Sequence, residues 1–271
     1  MKIIISPAKK MNVDIETLES HALPCFLADT EKIRDTMKRM SLEELQVLWK
    51  CNDNLAKQNY ERIQQMHLQE QLTPAILSYE GIQYKYMAPT VFEESMLQYI
   101  QDHLRIISGF YGVLRPMDGV TPYRLEMQAK LPMEQSKNLY DYWDRRIYDE
   151  IVGEIMHQET KQNRGDSNAT LGESNAASGE TIINLASKEY SICIEKYLRQ
   201  QDRYITCIFG EIVNDKVVQK GTYAKMARGE MVRFMAEHRI EDVEEIKGFN
   251  RLGYHYKKEL STENSFVFIK K

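Results

Sequence analysis

Short apolar runs alternate with amphipathic stretches along this 271-residue chain. The first run, Lys2-Ile-Ile-Ile5, has the length and β-branched character of a buried strand and is cut off by Ser6-Pro7. Residues 26–70 carry helical spacing, and Ser41-Leu-Glu-Glu44 is a capping box, with Ser41 as N-cap and Glu44 as its reciprocal partner. Thr73-Pro74 predicts a further helix start with proline at the first helical position. Thr90-Val-Phe-Glu93 repeats the capping-box pattern ahead of a helix to about His103. Leu104–Ile107 reads as a strand. Leu139, Trp143, Ile147, Ile151 and Ile155 recur every four residues and predict one long helix over about 137–156. Thr181–Leu185, 203–209 and 265–269 read as strands, and Ala227, Met231, Phe234 and Met235 mark the apolar face of a helix from about 224 to 238. Interspersed strands and helices predict a mixed α/β class, in one compact domain with a mixed sheet flanked by helices.

Two stretches depart from this alternation. Leu104–Met127 packs three glycines and two prolines among aromatic and charged residues. Such a segment is stiff and apolar enough to lie against the core, and it would hold Arg115, Asp118, Tyr123, Arg124 and Glu126 in set positions. Residues 157–180 contain a seven-residue near-repeat, Gly165–Leu171 followed by Gly172–Ser178, with no aromatic residue. That composition predicts a disordered surface loop, because it cannot bury enough surface to offset its chain entropy.

Composition narrows the function class. The chain is 42% hydrophobic and 28% charged with a net charge of −4, ordinary for a globular protein and against a uniformly basic nucleic-acid binder. A local basic cleft remains compatible with an acidic body, since fields act locally. Cys25, Cys51, Cys193 and Cys207 have neither zinc nor disulfide spacing, and the six histidines are scattered, so no metal or cofactor is expected. No apolar run approaches membrane-spanning length, so the expected location is cytoplasmic with no membrane partner.

Four clusters are candidates for chemistry. Ser6-Pro-Ala-Lys9-Lys10 follows the first strand, where ligands of α/β sheets often sit; it is a solvated turn or a phosphate site. Asn184-Leu-Ala-Ser187 again leads from strand into helix, and Ser187 is either an N-cap or part of an anion site. Residues 215–239 carry six Lys or Arg against three Asp or Glu, with Lys225 and Arg228 on one helix face and Arg233 further along. This is a solvated basic face or a phosphate-contacting one. Arg124 and Glu126 point the same way in an extended segment, as a simple ion pair or as a polar site floor. Tyr123 and Tyr223 are candidates for stacking on bases, and Glu126 is a candidate acid or base.

Taken together, these strings resemble the YaaA peroxide stress response family. The resemblance is carried by Ile5-Ser-Pro-Ala-Lys9, Ser108-Gly-Phe-Tyr-Gly-Val-Leu-Arg-Pro-Met-Asp118, Pro122-Tyr-Arg-Leu-Glu-Met127, Asn138-Leu-Tyr-Asp-Tyr-Trp143, Ile183-Asn-Leu-Ala-Ser-Lys-Glu-Tyr190, Tyr223-Ala-Lys-Met-Ala-Arg-Gly229 and Phe249-Asn-Arg-Leu-Gly-Tyr254. They occur in the family's order across nearly the whole chain. The resemblance implies a cytosolic protein that keeps unincorporated iron low under hydrogen peroxide stress. It also implies a positively charged cleft, DNA as partner, and a helix-hairpin-helix-like element, with Ser108–Gly112 as the candidate hairpin. Departures are Gln128 where glycine is usual, a longer 157–180 loop and a Phe268-Ile-Lys-Lys ending. Two alternatives to DNA binding stand beside it. One is an enzyme acting on a nucleobase, nucleoside or nucleotide-like small molecule in the same cleft. The other is direct iron sequestration, which the scattered His and Cys support least.

Overall fold

The computed structural model describes residues 1–133, 135–153 and 179–271. Its frame is a mixed sheet whose centre is parallel. β1 (Lys2–Ile5) lies between β5 (Leu104–Ser108) and β8 (Thr181–Leu185), parallel to both. β9 (Arg203–Val213) continues the sheet beside β8, and β12 (Ser265–Lys270) continues it beside β9, again parallel. Antiparallel strands finish the sheet: β6 (Gly112–Leu114) on β5, β11 (Tyr254–Tyr256) on β12, and β10 (Lys216–Val218) on β9. Ile3, Ile4 and Ile5 are fully buried, as a central strand covered on both faces requires. Two-stranded pairs lie off this sheet: β2 (Lys10–Met11) with β4 (Tyr79–Glu80), and β3 (Thr73–Pro74) with β7 (Gly119–Val120).

Helices cover the sheet. α1 (Leu27–Lys38), α2 (Leu42–Trp49) and α3 (Asp53–Gln64) occupy the stretch expected to be helical. The predicted capping box forms in both directions: Glu44 N–H donates to Ser41 Oγ, and Ser41 N–H donates to Glu44 Oε2. α4 (Ala75–Ser78) and α5 (Ile82–Met87) are short, α6 (Glu94–His103) feeds β5, α9 (Lys188–Glu195) follows β8, and α10 (Gly221–His238) is the longest. One contiguous apolar core joins these elements.

Several expectations are corrected. The stripe at 137–156 does not form one helix: α7 (Leu139–Trp143) ends at Asp144, whose φ of 46° and ψ of −136° turn the chain before α8 (Arg146–Ile151). Leu139, Trp143, Ile147 and Ile151 are nonetheless all buried, so both pieces present the same apolar stripe. Thr73-Pro74 pairs as β3 instead of opening a helix, and α4 begins after it. The second capping box does not form, because Thr90 lies in the 3-10 turn Pro89–Val91 and the N-cap of α6 is Glu93. Ser108–Gly112 is the tight turn between antiparallel β5 and β6, not the hairpin between two helices. The loop expected at 157–180 lies, up to residue 178, outside the described residues.

Away from the carboxyl ends of the strands, Arg105, Arg115, Asp118 and Glu150 gather around the buried turn after β6. Arg115 N–H donates to Asp118 Oδ2 at 2.8 Å, and Arg115 pairs with Glu150 at 3.6 Å. Burial pushes the Asp118 carboxyl up to about 7, against the opposing pull of the Arg115 N–H and the two guanidinium groups. An unfolded aspartate titrates near about 4, so between those pH values the folded protein binds the extra proton. The stability this contributes is complete below about pH 4 and is lost as pH rises through about 7. Asp118→Asn keeps an acceptor for Arg115 and removes the titration. Urea unfolding from pH 5 to 7.5 should therefore show stability falling with pH, by at most about 1.4 kcal/mol per unit, in the parent and a flatter profile in the variant. Equal slopes would refute the assignment.

Candidate functional site: a cationic cavity at the strand ends

β1 and β8 end side by side; Ser6 is the first residue beyond β1, and Ser187 the second beyond β8. Ser187 N–H donates to Ser6 Oγ at 2.8 Å, and the two hydroxyls are hydrogen-bonded at 3.2 Å. The Ser187 hydroxyl makes no cap bond to α9, so it links the strand ends in place of capping. Tyr84, from α5, donates its hydroxyl to the Ser6 carbonyl at 3.0 Å and fixes the turn from the other side. These ends floor a cavity of about 380 Å³, within the size range of small-molecule sites. Its position, beyond the carboxyl ends of parallel strands, is the general ligand position of open α/β sheets.

Two close backbone approaches set its walls. An added Cβ on Gly109 would lie 3.0 Å from backbone atoms of Leu125, Glu126 and Met127, so the extended segment carrying Arg124 and Glu126 rests directly on the β5–β6 turn. On the facing wall, a Cβ on Gly229 would fall 2.1 Å from the Gln83 carbonyl oxygen. Only glycine lets α10 and α5 approach that closely, and the approach brings Lys225 and Arg228 beside Gln83. Beneath the first wall, Ser108 Oγ accepts from the N–H groups of Phe110 and Tyr111 and bonds the Tyr123 hydroxyl at 2.6 Å. The Tyr123 hydroxyl in turn meets that of Tyr79 at 2.8 Å.

Nine of the residues predicted from sequence line this cavity: Ser6, Lys9, Lys10, Tyr123, Arg124, Glu126, Ser187, Lys225 and Arg228. Two do not. Asn184 is buried within the sheet, accepting from Ala186 N–H and donating to Thr206 Oγ1. Arg233 is paired with Glu237 at 2.7 Å, further along α10. Tyr123 is almost wholly buried and stacked on Phe110 at 4.8 Å, so its role is framework. Tyr223 is exposed away from the cavity with Lys270 over its ring at 4.5 Å. Sequence reasoning missed Glu80, Gln83, Tyr84 and Glu189, which also line the cavity. The only signal for the first three was Gly81 ahead of a short apolar stretch. Glu189 stood inside a quoted string without an assigned role.

The charges around the cavity divide into two groups. At the rim, Lys9 pairs with Glu126 and Lys10 with Glu80, each at 2.7 Å. Glu126 is thus engaged by Lys9 and not by Arg124. Among the described residues no carboxylate pairs with Arg124, Lys225 or Arg228. Arg124 reaches only the Trp49 carbonyl, at 3.5 Å. Burial pulls the Arg228 guanidinium down from its ordinary pKa, though an arginine stays charged. The Nε atoms of Arg124 and Arg228 and Nε2 of Gln83 are buried without a hydrogen-bond partner among the described residues. Each carries a desolvation cost. Burial raises the Glu189 carboxyl, with the nearby Glu126 charge acting in the same direction, while Gln128 N–H opposes it at 3.3 Å.

The fold and this cavity define a mixed α/β protein with a pocket, lined by five Lys or Arg and three Glu side chains, at the carboxyl edge of its parallel strands. The family profile described as peroxide stress protein YaaA matches residues 1–260. Curated relatives are similarly close over their full length. A UPF0246 protein of Agathobacter rectalis is 52% identical over 271 residues, covering 100% of this chain and 99% of the relative. One of Desulfitobacterium hafniense is 52% identical over 270 residues, covering 100% and 98%, and one of Pediococcus pentosaceus is 48% identical over the same length and shares. The chain belongs to the YaaA peroxide stress protein family. Among the described residues no helix is long and apolar enough to cross a membrane.

Opposite outcomes are expected for framework and cationic positions. Tyr123→Phe strands buried partners on Ser108 and Tyr79 and should cost about 1–3 kcal/mol of stability in denaturant unfolding. Arg228→Met removes a half-buried cation that has no carboxylate partner among the described residues, and should leave the melting temperature unchanged or raised. A large loss of stability in Arg228→Met would show that the guanidinium is structural.

Proposed function

We propose that this peroxide stress protein works in the cytosol to limit oxidative damage and binds DNA through the cationic cavity. The observation that carries the reading is the gathering of Arg124, from the extended segment, with Lys225 and Arg228, from α10, with no carboxylate partner among the described residues. A chain of net charge −4 keeps most of its cations near anions; three half-buried or exposed cations at one concavity form a local field suited to phosphate.

Three of the four thiols are ill suited to oxidation chemistry. Burial pushes the Cys193 and Cys207 thiols up to about 12, and Cys25 higher still. The thiolate is the peroxide-reactive form, and a pKa near 12 leaves it at roughly one part in 10⁵ at neutral pH. The reading includes lowered free intracellular iron as one effect of the protein under peroxide stress.

Anisotropy titration of a labelled oligonucleotide tests the reading. Affinity should fall steeply between 50 and about 200 mM salt, and Lys225→Ala should reduce the log–log salt slope by about 1. Binding insensitive to salt would defeat it.

One observation favours a second reading, an enzyme acting on a nucleobase, nucleoside or nucleotide. Glu189 stands in the cavity wall with its carboxyl pKa raised by burial, the direction that favours holding a proton. In that case Glu189→Gln abolishes conversion of a nucleotide, followed chromatographically, while binding persists. Absence of any conversion by the parent protein removes this reading.

A further inference from the structure

Resting on the phosphate-binding reading, we infer that the cavity recognises a terminal phosphomonoester, on a mononucleotide or at a strand end, and not the internal phosphodiesters of a continuous strand.

Shape comes first. The unpaired cations do not project from a convex face, as backbone-tracking lysines do; Arg124 and Arg228 are only partly exposed, in the walls of a cavity of about 380 Å³. An internal phosphate has a sugar on both sides, and duplex phosphates sit on a rod that cannot enter such a hollow. A terminal phosphate has one free side and can enter first.

Charge and donors agree with this. The rim lysines are already neutralised by Glu126 and Glu80. Arg124, Lys225 and Arg228 remain against the single carboxylate of Glu189, an excess of two that suits a group of charge about −1.5 to −2 better than the single charge of a diester. The partnerless groups around the cavity are all donors: Nε of Arg124, Nε of Arg228 and Nε2 of Gln83. A monoester offers three terminal oxygens where a diester offers two, and guanidinium forks suit that bidentate pattern. The remaining wall is apolar, with Pro7, Ile82, Tyr84 and Leu125 placed to receive the attached sugar or base.

The test uses the intact protein and one sequence of single-stranded DNA in three forms: 5′-phosphorylated, 5′-hydroxyl and covalently closed circular. Thymidine monophosphate and thymidine serve as competitors. The inference expects the phosphorylated linear strand to bind at least about tenfold tighter than the other two, about 1.4 kcal/mol, with competition by the monophosphate and none by thymidine. Arg124→Ala should erase the difference between phosphorylated and hydroxyl ends. Equal affinity for circular and phosphorylated linear strands overturns the inference and leaves DNA binding intact. Binding of thymidine monophosphate with no binding of any strand upholds the inference and overturns DNA as partner. Binding of neither overturns both.

Discussion

Ser108 Oγ closes the β5–β6 turn by accepting two backbone N–H groups, and the same oxygen bonds the Tyr123 hydroxyl, which bonds that of Tyr79. Three separate parts of the chain thus share one buried polar knot: the sheet, the extended segment over it and the β4 edge. The Tyr123 hydroxyl is bonded on both sides, so its removal leaves Ser108 and Tyr79 each short of a buried partner. Arg124 and Glu126 lie immediately beyond Tyr123, and Glu80 immediately beyond Tyr79. The arrangement of charges around the cavity therefore depends on a bond network that itself carries no charge.

The electrostatic design is local. The chain is net acidic, yet five cations and three carboxylates meet at one hollow. Two of the carboxylates are occupied by rim lysines, and the third, Glu189, is pushed toward its neutral form by burial. The positive character of the site thus comes less from many basic residues than from how their opposites are spent. Holding partly buried cations without anions costs stability, the usual expense of a preorganised binding site.

Much of this was legible before the structure. The isoleucine run, the Ser41 capping box and the strand at 181–185 are local signals with local causes, and the residues after two strand ends pointed to the right edge of the sheet. The failures are tertiary. The 137–151 stripe keeps its apolar period through the bend at Asp144, so periodicity alone could not show the break. Thr73-Pro74 is drawn into pairing with Gly119–Val120, a partner distant in sequence. Gln83 and Glu80 carry no pattern of their own; they reach the cavity because Gly229 admits α5. Arg233 has the same composition around it as Arg228, but one more turn and a half of helix carries it to Glu237.

The contact at Gly229 has a mechanical consequence. Side chains between two helices act as a cushion that can compress or shift, whereas α5 and α10 meet at bare backbone. Such a joint has no slack: sliding by even an ångström would drive a peptide group into its neighbour. The far wall of the hollow is therefore a fixed abutment, and a visiting molecule meets a ready-made contour instead of one that must open to admit it.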